Sequence, residues 1–162
     1  GSEKAYIAGI SRNCMTIVAA LDGTQRDDPT VHAGYDLAQA FDTELYLLHV
    51  IPEDEFDDHL EEVVPEEHRG EYSFSQAEDS AARLAGDILS ESLTVFESGR
   101  IETVGRVGDP MDQIIDVAEQ VDAEYLVIDG RTQSTIGKAV FGDTAQRILH
   151  NAELPVVSVM DQ

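Results

Sequence analysis

Cysteine is nearly absent from this chain. Cys14 stands alone, which excludes an internal disulfide framework and any cysteine-rich zinc site. Positive charge is almost as scarce: 10 Lys plus Arg face 33 Asp plus Glu, a formal net charge of -23, and Lys4 and Lys138 are the only lysines. Such a surface repels a phosphate backbone, so a nucleic-acid partner is excluded from the expectations. Long hydrophobic runs are missing too. No stretch approaches the ~18 apolar residues of a membrane span, and the first residues lack the basic region and apolar core of a signal peptide. No membrane association and a cytoplasmic location are therefore expected.

What is present belongs to a globular protein. The hydrophobic fraction is 42% over 162 residues, enough for one domain that buries about two thirds of its unfolded surface. The mean hydropathy of -0.21 is then set by charge. The acids are spread along the whole chain and do not form one block, so they do not read as a binding tail. A dispersed, lysine-poor acidic surface suits a very salty cytosol, where screening removes most self-repulsion. A halophilic source is the reading, with an acidic mesophilic protein as the alternative.

Residues 1–14 read as a leader or N-terminal extension: Gly1-Ser2 resembles a scar of tag removal, and Met15 opens a clean strand. From 15 to 162 the pattern alternates. TIVAAL (16–21), ELYLLHVI (44–51), IETVGRV (101–107), EYLVID (124–129) and PVVSVM (155–160) are apolar, β-favouring runs. Between them, 30–41, 75–96 and the stretch after Gly108-Asp109-Pro110 carry apolar residues at helical spacing, as does 144–151. Asp109 is an expected N-cap with Pro110 at the first helical position. Alternating strands and helices predict an α/β fold, a parallel sheet of five strands with helices on both faces. Ligands of such sheets bind at the carboxyl ends of the strands where the strand order reverses. The ends of the first and fourth strands, Asp22-Gly23 and Asp129-Gly130, would share one crevice if those strands are neighbours.

After the fourth strand comes VIDGRTQSTIGKAVFGDTAQRIL (127–149), a strand, a glycine-bearing loop and a helix, the order in which phosphate is often held. It is not a Walker A loop: Gly130 and Gly137 enclose too many residues, and Ala139 follows Lys138 where Ser or Thr should hold magnesium. A dinucleotide G-x-G-x-x-G is absent as well. LDGT at 21–24, LLHV at 47–50, VGDP at 107–110, VIDGRT followed by FGDTAQRIL, and ELPVVSV at 153–159 together resemble the universal stress protein family. With its acidity the chain resembles a haloarchaeal-type member.

The resemblance implies a single-domain Rossmann-like, adenine nucleotide alpha hydrolase-like fold, and a stress-response domain that binds ATP, with magnesium, as a regulatory ligand. It implies Asp22 and Val50 at the base, and Gly130, Gly142 and neighbouring backbone at the phosphates. Arg131, Gly137, Lys138, Asp143 and Thr144 lie beside them, and Gly108 is a point of close backbone approach. It also implies a homodimer through the strand at 155–160, whose apolar VVSV has no charge to blunt an edge; cover by the C-terminus or by residues 1–14 is the alternative.

The chain departs from the family pattern in three places. Gln133 stands where the family has its second glycine, the span from Gly130 to Gly142 is one residue short, and Asp143 replaces the final Ser or Thr. Asp143-Thr144-Ala145-Gln146 fits a capping box, and a carboxylate at the helix start competes with a phosphate for the same site. Arg131, Lys138 and Arg147 oppose it. The competing reading is therefore a nucleotide-free interaction protein acting through its dimer surface, its crevice blocked by Asp143. The acids and histidine between Asp54 and Glu62 lack EF-hand spacing and read as a solvated loop. His49 reads as a core histidine and His150 as a helix-end dipole partner. No nucleophile–base constellation is visible, so no catalysis is expected.

Overall fold

The computed structural model describes residues 16–21, 27–56, 74–133, 139–141 and 143–160. The expectation for residues 1–14 lies outside them. Five strands form one parallel sheet: β1 (Thr16–Ala20), β2 (Glu44–Ile51), β3 (Ile101–Val107), β4 (Tyr125–Asp129) and, from the end of the chain, β7 (Val156–Val159), in the order β3-β2-β1-β4-β7. The strand order turns back between β1 and β4, which pair directly from Ile17 opposite Tyr125 to Ala20 opposite Ile128. β7 is an edge, as expected.

Why the helices divide between two faces follows from the order of the strands. Moving from β1 to β2 to β3 and then from β4 to β7 takes the chain in opposite directions, and right-handed crossovers put the helices of the two halves on opposite faces. α1 (Pro29–Phe41) and α2 (Phe74–Ser92) cover one face, α3 (Pro110–Gln120) and α4 (Asp143–Asn151) the other. Alternation along each strand feeds both cores. Ile17, Ala19, Leu45 and Leu47 pack with Val31, Tyr35 and Ile88. Val18, Ala20, Leu48 and Val50 pack with Ile114, Val117 and Ile148. All of β1 is buried, the expected state of a central strand with both faces covered.

Local chemistry fixes the elements. α1 starts at Pro29, capped by fully buried Asp28, whose carboxylate accepts from Thr30 N at 2.8 Å and Thr30 Oγ1 at 2.6 Å. Its end is held by Arg100, which donates to the carbonyls of Ala38 and Thr43 and to the carboxylates of Asp42 and Glu97. Partial burial works against the Arg100 charge, but those carboxylates outweigh it and raise the guanidinium pKa. β3 lies hard against α2 at Gly105, where a Cβ would come within 2.7 Å of Ala81 Cβ and of Ala82 N.

Several boundaries differ from the sequence reading. α2 ends at Ser92, short of Phe96, and β7 spans only Val156–Val159. The glycine loop is partly a hairpin: β5 (Arg131–Gln133) pairs antiparallel with β6 (Ala139–Phe141) as a separate two-stranded sheet. Thr132, Val140 and Phe141 favour extended backbone, and two such runs can pair with each other without joining the main sheet. α4 includes Asp143, one residue before the expected start.

Candidate functional site

A crevice of about 480 Å³ opens at the carboxyl end of the sheet, within the range of small-molecule sites. Its floor is the switch point itself, with Ala20 and Leu21 from β1, Leu48, His49 and Val50 from β2, and Ile128 and Asp129 from β4. The first turns of α3 and α4 close it from one face through Pro110, Ile114, Thr144 and Ala145. Pro52, Glu55 and Leu84 complete the rim.

The backbone at the floor has a defined polarity. β1 ends in register at Ala20 opposite Leu48, whose carbonyl accepts from Leu21 N at 2.8 Å. β2 runs on to Ile51, whose carbonyl faces the other side and accepts from Gly108 N at 3.0 Å. Since N–H and C=O directions alternate residue by residue along a strand, Val50 turns both its N–H and its C=O to the β1 side of the sheet. A donor and an acceptor on one residue of the crevice lining thus point the same way.

At the helix starts the protein supplies its own carboxylates. Asp109 caps α3, its Oδ2 accepting from Asp112 N at 3.1 Å. The same carboxylate takes both terminal nitrogens of Arg147 on α4, at 2.9 and 3.3 Å. The Arg147 guanidinium, with the Asp112 amide, holds the Asp109 carboxyl below its usual range, and Asp109 in turn raises Arg147. Asp143, in the first turn of α4, is exposed and adds to the field on Arg147.

Of the residues nominated from sequence, Val50 and Thr144 line the crevice. Gly130, next to Asp129 but not in the crevice lining, is buried, with its N–H given to Val159 O at 3.0 Å; its amide serves the β4–β7 pairing. Gly108 has φ +146, and a Cβ there would sit 2.9 Å from Gln113 Nε2. Conformation and the Gln113 side chain thus account for that glycine. Arg131 belongs to β5 by its backbone. Asp22, Gly137, Lys138 and Gly142 lie outside the described residues. Arg147 is present near the crevice, but its charge is engaged by Asp109.

His49, expected in the core, is half-buried and lines the crevice instead. Glu55, placed in a solvated loop, lines the crevice, and Asp129, at the strand end expected to face it, lines it too. Among the described residues no group of three His, Cys, Asp or Glu is placed to hold a metal, and no helix is long and apolar enough to cross a membrane.

A switch-point crevice between β1 and β4, with helix starts closing over it, is a nucleotide-type architecture. The model of the universal stress protein family matches residues 14–159. The chain belongs to the universal stress protein family. Among individual relatives, it is 20% identical to the stress response protein NhaX of Bacillus subtilis, over 88% of this chain and 96% of the relative. It is similar in structure to the universal stress protein of Archaeoglobus fulgidus, with a TM-score of 0.54 and 23% identity over 89% of this chain and 97% of the other. A universal stress protein solved in complex with cAMP superposes with a TM-score of 0.58 at 19% identity, covering 91% of this chain and 98% of the other. These similarities support the α/β, Rossmann-like fold of this stress protein.

Proposed function

We propose that this universal stress protein binds an adenine nucleotide in the switch-point crevice as a regulatory ligand, without turnover. The observation that carries the reading is Val50. It lines the crevice, the alternation along β2 turns its N–H and C=O to the β1 side, and adenine presents an acceptor, N1, beside a donor, the N6 amino group. The apolar walls around Val50, among them Leu21, Ile114 and Ile128, suit the faces of a purine. The solved relative that carries cAMP supports the same class of ligand.

ATP with magnesium is the form implied by the family resemblance, with Thr144 the described hydroxyl nearest the phosphate end. The test is thermal unfolding of the full chain with ATP and magnesium, AMP, cAMP, and GMP as the purine control. Stabilisation by adenine forms and not by GMP is expected, since a ligand bound only to the folded state raises its stability. No shift with any adenine compound would overturn the reading and favour the nucleotide-free interaction protein. Asp143 at the start of α4 is the feature that supports that second reading.

The acidity supports a salt-adapted setting. Among the described carboxylates only Asp28 is fully buried, so the others keep contact with solvent. A homodimer through the β7 edge remains part of the proposal; sedimentation in concentrated KCl tests it.

A further inference from the structure

The crevice carries charge that an adenine site for a triphosphate would not need. Its described lining includes the carboxylates Glu55 and Asp129 and neither lysine nor arginine. A phosphate would ordinarily settle at a helix N-terminus, drawn by free amides and the helix dipole. Here both helix starts that close the crevice hold acids of their own. Asp109 caps α3 and Asp112 lies in its first turn, while Asp143 lies in the first turn of α4. The Asp112 amide is already given to Asp109. Arg147, a cation near this end, has both terminal nitrogens on Asp109. Apolar space is ample by comparison, with Val50, Ile114, Ile128 and Ile148 around a volume of about 480 Å³.

We propose that the crevice selects its adenine ligand by charge, taking adenosine and the singly charged cyclic monophosphate in preference to ADP and ATP. This rests on the adenine reading above and names the ligand class within it. Base and sugar fill the apolar part, and each further phosphate charge is added to a crevice with Glu55 on its rim and Asp143 at the start of the helix that closes it. Like charges at contact repel even through water, and more where water is excluded. Magnesium offsets part of that repulsion but leaves the nucleoside the better fit.

Calorimetric titration of the full chain with adenosine, cAMP, ADP, ATP and ATP with magnesium, in one KCl buffer, tests this. Adenosine and cAMP are expected to bind about tenfold tighter than ATP, the effect of one or two like-charge contacts. Glu55→Gln and Asp143→Asn should each narrow that gap, mainly by improving ATP. Raising KCl should narrow it in the wild type as well, since screening acts on charge and not on shape. Equal or tighter binding of ATP would overturn the charge selection while leaving the adenine reading standing. A gap unmoved by both variants and by salt would also overturn it. No binding of any adenine compound would end both.

Discussion

Arg147 reaches from α4 across to the N-cap of α3 and holds both oxygens of Asp109, Nη1 to Oδ1 at 2.9 Å and Nη2 to Oδ2 at 3.3 Å. One carboxylate thereby caps a helix and ties that helix to its neighbour at the mouth of the crevice. Asp109 is held below the usual carboxyl range by this contact first and by the Asp112 amide second. A carboxyl lowered in the folded state stabilises it above the unfolded pKa, and the contribution fades as pH falls through the folded value. Arg147→Met should therefore melt below the wild type at neutral pH. The difference should begin to narrow below about pH 4 and close on further acidification. Melting curves across that range check it. Both side chains are more than a third exposed, at 48% and 37%, so concentrated salt should shrink the difference too.

Asp28 offers a stronger stability test because it is fully buried. Its carboxylate satisfies Thr30 N and Thr30 Oγ1. Asp28→Ala should cost about 1–2 kcal/mol, the upper range for loss of an N-cap. Denaturant unfolding with an unchanged slope and a lowered midpoint is the expected outcome.

Gly105 tests the packing of β3 on α2. A methyl group there would meet Ala81 Cβ and Ala82 N at 2.7 Å, and part of the obstacle is helix backbone, which cannot rotate away. Gly105→Ala should destabilise by roughly 1–3 kcal/mol through overpacking, seen as a lower denaturation midpoint.

Salt should stabilise the whole protein even though it weakens individual ion pairs. With 33 acids against 10 basic residues, self-repulsion outweighs the few described bridges, and screening relieves repulsion over a wider surface than it weakens attraction. Melting temperature should rise by several degrees between dilute and concentrated KCl, and fall or stay level if the acids are balanced by structure.

The fold was legible because its signals are local and repeated. Five apolar runs separated by helical stretches specify a parallel sheet with two covered faces, and Asp109-Pro110 marked the start of α3. The same signal at Asp28-Pro29 opens α1 one residue before the helix drawn from periodicity. Apolar spacing alone is blind to a cap, which makes no contact with the core stripe. The β5–β6 hairpin escaped because its glycines suggested a loop, while Thr132, Val140 and Phe141 pair across it. At the site, Val50 and Thr144 were nominated through the family resemblance, and both line the crevice. His49 was read as a core residue and Glu55 as part of a loop, while the Asp129 end of the fourth strand was expected at the crevice. The meeting of all three depends on the order β2-β1-β4, a three-dimensional relation that no single segment carries. The Arg147–Asp109 pair spans 38 positions and was equally invisible.

The most direct measurement is an amide NMR titration of the full chain with cAMP in concentrated KCl. Saturating shifts at Leu21, Val50, Ile128 and Thr144, with Val95 and the β7 strand unmoved, are expected if the base meets β2 beyond the end of β1. Shifts confined to β7, or none at Val50 at saturation, would contradict an adenine site at the switch point.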